Sequence, residues 1–319
     1  MRASLVEPDV PVVWVTADCL QSRSVLAGEQ NVVYLPRVDS RDYVALFRVL
    51  IPALRLLVRH RPRAVYSTGA AVALAFLPFA WLVGARATYV ESAARTSGPS
   101  HTGKILSALP WIRLRTQYRG WAGTRWQYAG SVFDGYEPVR VERPDPRVRK
   151  VVVTLGTQEN FPFVTLVERL NQIVPPGTEV LWQIGGGFPP DARPQGARES
   201  VPMAELCAWV NDADAVIAHA GVGSALTLLE QGFTPLLVPR SADRGEHIDE
   251  HQRLIADELE ARGLAVTAEA DRLTWADVVR STSTRVRPLH RLPSSLSGQP
   301  DAFTAHDRLD MSTFTSGAA

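Results

Sequence analysis

The stretch Ala215-Val-Ile-Ala-His-Ala-Gly-Val-Gly-Ser224, followed by a helical pattern to Gln231 and by Pro235-Leu-Leu-Val-Pro239, decides how this chain is read. A short apolar strand, Ala215 to Ala218, runs through small residues into a helix expected from Ser224 to Gln231. The first backbone N–H groups of a helix have no intrahelical partner, and its peptide dipoles put partial positive charge at that end. Gly221 and Gly223 remove the side chains that would hold an anion away from those amides, while Ser224 offers a helix cap and a hydroxyl donor. A diphosphate fits such a seat. Glycines at a strand-to-helix turn also serve an ordinary tight turn, so the pair by itself leaves both readings open.

His251-Gln252 opens the next helix, after the strand Leu236 to Val238. In a doubly wound sheet, consecutive strand-to-helix turns lie at one carboxyl edge, so the two polar clusters are expected to line one crevice. The alternation extends in both directions. Val12 to Thr16, Val32 to Leu35, Ala64 to Ser67 and Thr88 to Glu91 read as strands in the first half, with helical patterns at Tyr43 to Arg59 and Ala70 to Val83. Val151 to Leu155, Val180 to Ile184 and Leu264 to Val266 add strands in the second, with helices near Phe163 to Ile173, Met203 to Asn211 and Asp249 to Arg262. Such alternation predicts an α/β protein of two parallel-sheet domains. Pro138, Pro144 and Pro146 among charges mark a linker, giving domains 1–138 and 151–280 around a linker at 139–150. Residues 281–319, rich in Ser, Thr and Pro, are expected to be disordered.

The net charge of +1 conceals an asymmetry: residues 1–150 hold 21 Lys and Arg against 11 Asp and Glu, and residues 151–319 hold 13 against 22. From Tyr43 to Phe133 there are 12 basic residues and one acid, Glu91. A surface this positive attracts anionic lipid headgroups or diphosphate-linked substrates. No interleaved aromatic and basic pattern favours nucleic acid. Tyr43 to Arg59 is apolar nearly all round except for Arg48, Arg55 and Arg59, which fits either a helix in the headgroup layer or one packed on the sheet. The longest apolar run, Ala70 to Ala85, is 16 residues and contains Pro78 and Gly84, short of the ~20 needed to span a bilayer. Met1 to Val10 carries Arg2, Glu7 and Asp9 and does not read as a secretory signal. Cys19 and Cys207 fall in different halves and suit a reducing compartment. Neither cysteine, nor His60 or His101, has metal-ligand spacing, and Asp212 and Asp214 precede a strand rather than follow one. No metal is expected.

The pattern His219-x-Gly221-x-Gly223-Ser224, then Gly232, Pro235 and Gly245-Glu-His-x-x-x-His-Gln252, resembles the donor-binding half of glycosyltransferase family 28. Ser67-Thr-Gly-Ala70, Tyr89-Val-Glu-Ser-Ala-Ala-Arg95, Ser100-His-Thr-Gly-Lys104, Gln117 and Gly130 are similar to the membrane-associated acceptor subunit of the two-subunit transferase that extends dolichol-diphosphate-GlcNAc. They are similar also to the paired bacterial subunits of exopolysaccharide synthesis, here with both halves in one chain. The resemblance implies the GT-B architecture, two Rossmann-like domains facing a cleft. It also implies an inverting, metal-free transfer from a UDP-sugar, GlcNAc or a related hexose, to a polyprenyl-diphosphate-linked glycan. No cofactor beyond the substrate is implied, and the expected location is peripheral, on the cytoplasmic inner face of the membrane, as a homo- or hetero-oligomer or alone.

Within that frame Gly156, Thr157 and Gln158 face Gly221, Gly223 and Ser224 across the diphosphate, although Thr157 also suits a plain turn. His251 and Gln252 contact the sugar or the phosphates. The family's ribose-binding glutamate has no direct counterpart: the position three after Ser224 is Thr227, and the carboxylate comes at Glu230, which serves the ribose or faces solvent. Arg95, Thr102 and Lys104 are the expected acceptor-binding residues. Val12 to Thr16 resembles the family's second strand, so the N-terminal domain is expected to lack the first, together with its histidine-bearing loop. That leaves Glu91 as candidate general base, or as an anchor for Arg95 and Lys104. His219 either donates to the diphosphate or holds the loop that does. An epimerase of the same architecture and a catalytically silent recruiting subunit are the alternatives.

Overall fold

Short runs rich in valine, threonine and tyrosine become the strands, as their preference for a pleated, half-buried surface favours. The computed structural model describes residues 11–19, 22–23, 26–38, 42–141, 147–156, 161–246 and 251–289. The chain divides into two units, the first reaching Gly130 and the second spanning Ser131–Arg291.

In the first unit, β1 (Trp14–Ala17) pairs in parallel with β2 (Val32–Leu35). Helix α1 (Tyr43–His60) follows, capped by the Asp42 carboxylate, which accepts the Ala45 N–H at 2.9 Å, and closed by Arg61 in the left-handed region. Its Val49, Ala53 and Leu57, four residues apart, form the buried face, and the first two pack with Leu35 and Ala75. Next come β3 (Ala64–Ser67), α2 (Ala73–Phe76), β4 (Arg86–Val90), α3 (His101–Ser107), β5 (Ile112–Thr116) and β6 (Trp126–Tyr128). The last four strands form a parallel sheet in chain order. Ala87, Tyr89, Ile112, Leu114 and Trp126 share a core with Ala73, Leu77, Ala80 and Leu106. The helix expected at 70–83 is instead one α turn followed by a 3-10 segment, Leu77–Val83, with Pro78 at its start. The proline ring cannot donate to the carbonyl four residues back, so the α ladder stops there.

In the second unit, β7 (Tyr136–Arg140), β8 (Lys150–Thr154), α4 (Val164–Ile173), β9 (Glu179–Gln183), α5 (Met203–Asn211), β10 (Ala215–His219), α6 (Val222–Glu230), β11 (Leu236–Val238), α7 (His251–Ala261), β12 (Val266–Thr267), α8 (Trp275–Ser281) and β13 (Thr284–Pro288) follow in order. Five of the strands make a parallel sheet ordered β12-β11-β10-β8-β9. Val151, Val153, Ile217, Leu236 and Val238 are fully enclosed with Phe163, Leu166 and Leu170, each contributing about 1.5–3 kcal/mol through burial.

The domain boundaries differ from those expected. The second unit begins at Ser131, within the 1–138 expected for the first domain and ahead of the 151 expected for the second. Residues 136–140 form β7, which pairs antiparallel with β13, so the segment read as the approach to a linker is paired strand. Residues 281–288, expected in a disordered tail, are the end of α8 and the whole of β13. Pro138 fits because, among the described residues, β7 is paired only with β13. Residues 142–146 and 290–319 lie outside the described residues.

Candidate functional site

In chain order the second unit's sheet reads 5-4-3-1-2, so the direction of strand addition reverses between β8 and β10. The loops leaving their carboxyl ends diverge there, and an open α/β sheet binds ligands in the crevice so formed. Thr154 ends β8 and His219 ends β10, the two sides of that switch point.

The His219 ring fills the space between the two loops. A Cβ on Gly156 would lie 2.9 Å from its Cε1, and one on Gly221 would lie 2.4 Å from its Nε2. Gly156 also has φ +78°, which other residues rarely adopt. Nδ1 stands 3.5 Å from the Thr154 carbonyl, a long contact that orients the ring with Nε2 toward Gly221. Gly221 is thus required first by the imidazole. At Gly223 a Cβ would meet nothing within 4 Å, so that glycine borders open space.

Helix α6 begins at Val222 with Gly221 as its N-cap, and no side chain caps it. Ser224, expected as the first helical residue and cap, is the third residue of the helix. The amides of Val222, Gly223 and Ser224 precede the first intrahelical bond, which Ala225 donates to the Gly221 carbonyl. Three N–H groups at the positive end of a helix thus adjoin the open space at Gly223.

A residue missed in the sequence stiffens this edge. Gln183, buried at the end of β9, accepts the Thr154 hydroxyl at 2.6 Å and donates to the carbonyls of Gly156 and Glu199. Its signal was a polar side chain closing an apolar strand. Thr157 and Gln158 lie outside the described residues.

Gln252 is buried rather than displayed, and its Oε1 accepts the Arg240 backbone N–H at 3.0 Å, holding the turn after β11. His251, half-exposed, begins α7 beside it. Glu230 is not at this edge. It ends α6, and at about 1.5 Å per residue it is about 10 Å from Gly223. There it accepts the Tyr136 hydroxyl at 3.4 Å from the β7–β13 ribbon. Burial, then Glu230, pushes that phenol up to about 12. Thr227 bonds back to the Gly223 carbonyl within the helix.

In the first unit, Glu91 is sealed, with 1% exposure. One carboxylate oxygen accepts the Tyr89 hydroxyl at 3.1 Å and the Ser92 N–H at 3.0 Å. The other accepts the Ser100 N–H at 2.8 Å and hydroxyl at 3.0 Å. Burial and this carboxylate push the Tyr89 phenol well up. Both oxygens are occupied, so Glu91 anchors the segment from 92 to 103 and does not fit the role of proton acceptor. Gln117 donates to the Glu91 carbonyl, and Trp121 to that of Arg95. Arg95, Thr102 and Lys104 lie on this anchored segment and the first turn of α3.

Helix α1 leaves Tyr43, Val44, Phe47, Ile51 and Val58 between 51% and 71% exposed. At 100° per residue they share an arc of about 100°, bordered on one side by exposed Arg48, Arg55 and Arg59. No helix among the described residues is long and apolar enough to cross a membrane. Among them too, no three His, Cys, Asp or Glu side chains come together as metal ligands. Asp212 pairs with Lys150 at 2.5 Å, and Asp214 accepts the backbone N–H groups of Arg149 and Lys150.

Residues 150–278 match the family model for the glycosyltransferase family 28 C-terminal domain. No curated protein matches the sequence. Among solved structures, Acinetobacter baumannii MurG is similar at 15% identity and a TM-score of 0.52, over 84% of this chain and 80% of that one. The spinosyn forosaminyltransferase SpnP is similar at 17% identity and a TM-score of 0.50, over 84% and 80%. The fold is that of the GT-B glycosyltransferases, mixed α/β with parallel sheets in two Rossmann-like units.

Proposed function

We propose that this chain is an inverting glycosyltransferase that moves a sugar, GlcNAc or a related hexose, from a UDP-sugar to a polyprenyl-diphosphate-linked acceptor at the cytoplasmic membrane face. The observation that carries the reading is the switch point between β8 and β10, where α6 presents amides without an intrahelical partner beside the open space at Gly223. The family match over 150–278 covers that point.

In an inverting transfer the acceptor hydroxyl attacks the anomeric carbon, the bond to the diphosphate breaks with its electron pair, and the hydroxyl proton leaves to a base. The departing diphosphate gains charge that the amides of Val222, Gly223 and Ser224, the α6 dipole and the Ser224 hydroxyl are placed to stabilise. His219 holds the glycine loops apart and directs Nε2 toward the same crevice. His251 adjoins the diphosphate or the sugar. The anchored segment bearing Arg95, Thr102 and Lys104 supplies cations for the acceptor's diphosphate, and the apolar, arginine-bordered face of α1 brings the first unit to anionic lipid.

One observation favours a second reading, a donor-binding recruiting subunit that takes its base from a partner: Glu91, the one acid from Tyr43 to Phe133, is fully engaged. Incubation with radiolabelled UDP-GlcNAc, UDP-glucuronate and UDP-glucose together with polyprenyl-diphosphate sugars separates the cases. Label in the lipid phase supports transfer. UDP binding without turnover supports the recruiting subunit, and an altered nucleotide sugar without lipid label points to epimerisation.

A further inference from the structure

Arg240 follows Pro239 at the end of β11 and is 1% exposed, among the largest side chains that are fully enclosed. Enclosing a guanidinium is costly unless its donors are met. Here Nη2 donates to the Leu155 carbonyl at 2.7 Å and Nη1 to that of Phe161, while Nε has no partner among the described residues. The guanidinium carbon lies 5.3 Å from the Phe163 ring centroid, and the Arg240 backbone N–H is held by Gln252. The Leu155 carbonyl belongs to the same peptide unit as the Gly156 N–H. That unit leads into the glycine against which His219 packs, and Gln183 holds the next carbonyl, that of Gly156.

We propose that Arg240 is a positioning residue for donor binding: by gripping the end of β8 and the approach to α4 with one planar fork, it sets Gly156 against His219 at the switch point. The inference rests on the nucleotide-sugar reading above and adds a residue to it. A glycine with φ +78° has little conformational preference of its own, so its position must come from neighbours. Lysine, a point charge on a flexible stem, cannot span two carbonyls in this way. Burial pushes the guanidinium down to about 10, opposed by the nearby Glu246 carboxylate, itself buried and accepting the Ser241 N–H at 3.1 Å.

The test compares wild type, Arg240→Lys and Arg240→Met by hydrogen exchange at Leu155, whose N–H is held by the Gln183 carbonyl at 2.8 Å, by UDP titration calorimetry and by thermal melting. In folded Arg240→Lys, faster exchange at Leu155 and about tenfold weaker UDP binding are expected. Folded variants with wild-type exchange and wild-type UDP affinity overturn the proposal, and so does a lowered melting temperature with both of those unchanged. Should both variants fail to fold, native-state exchange of wild type in low denaturant decides: Leu155 and Ser241 opening with one free energy supports the grip, and separate openings overturn it. A wild type that does not bind UDP sinks the nucleotide-sugar reading instead, while the exchange result still judges the grip.

Discussion

The His219 imidazole stands where a side chain at position 221 would have to go, with Nε2 only 2.4 Å from the site of a Cβ on Gly221. Gly221→Ala must therefore displace the ring, which the Gly156 loop confines on its other side. A loss of about 1–3 kcal/mol is expected, as for overpacking elsewhere. Removing the ring should relieve it: in His219→Ala, the added Gly221→Ala change should cost almost nothing. A double-mutant cycle by denaturant titration checks this, and additive losses would show that the two positions do not meet.

Gly223 is the counterpart with room around it, inside a helix and next to open space. Alanine there should stabilise the free protein by roughly 0.5–1 kcal/mol, because glycine is a poor helix former. If a diphosphate seats on the adjacent amides, the same methyl should weaken UDP binding by at least about tenfold, and a bulky residue at Ser224 should abolish it. Calorimetry and thermal melting thus move in opposite senses for one substitution. Unchanged UDP affinity in both variants would place the diphosphate elsewhere.

The contrast between these glycines also marks the limit of what sequence discloses. The strand-helix alternation, and with it the parallel sheet and the shared carboxyl edge, follows from local periodicity, and Val151–Val153, Ile217 and Leu236–Val238 read plainly as buried strand. Whether a glycine spares room for a ligand or for a histidine two residues away depends on three-dimensional packing. The partners of Gln183 and Arg240 could not be read for the same reason, since they are carbonyls distant in the chain. The β7–β13 ribbon joins segments about 150 residues apart, and β7 contains a proline and charges that locally favour a loop. The spacing of Glu230 left open whether it serves a ribose or faces solvent, because its contact with Tyr136 comes from a segment 94 residues away.

That contact carries a pH dependence. Tyr136 ionises near 12 in the folded chain, raised by burial and then by Glu230, against about 10 for a free tyrosine. The folded state thus keeps its proton longer than the unfolded one. The contribution is fully present below about pH 10 and is lost as pH rises toward 12. Tyr136→Phe should flatten the fall in stability over that window relative to wild type, measured by urea midpoints from pH 8 to 11.5. Parallel curves would mean that the phenol is not held near Glu230.

Glu91 offers a sharper test of role. In Glu91→Gln one carboxylate oxygen becomes an NH2 group, which must face either the Ser92 N–H and Tyr89 hydroxyl or the two donors of Ser100. A donor set against donors inside a sealed site should cost about 1–3 kcal/mol. A general base would behave otherwise, with stability nearly intact and turnover down by about 10²–10⁴. Melting curves alongside lipid-phase label from UDP-GlcNAc separate the two, and a stable but inactive variant would restore Glu91 as proton acceptor.

The outward face of α1 should behave as a lipid contact rather than as a packing surface awaiting a cover. Phe47 at 71% and Ile51 at 59% exposure lie within the same arc, and each apolar side chain of this size gains about 1.5–3 kcal/mol on leaving water. Both point away from the core side carrying Val49, Ala53 and Leu57, so Phe47→Ser with Ile51→Ser should leave the melting temperature within a few degrees of wild type. The same pair should reduce sedimentation with phosphatidylglycerol vesicles at least about tenfold. Replacing Arg48, Arg55 and Arg59 by alanine should remove about 1 kcal/mol per residue and most of the salt dependence, with little change on neutral phosphatidylcholine vesicles. If UDP seats at the switch point of the second unit, its affinity should be unchanged in all of these variants. If the serine pair sediments like wild type, α1 is not the surface that meets the lipid.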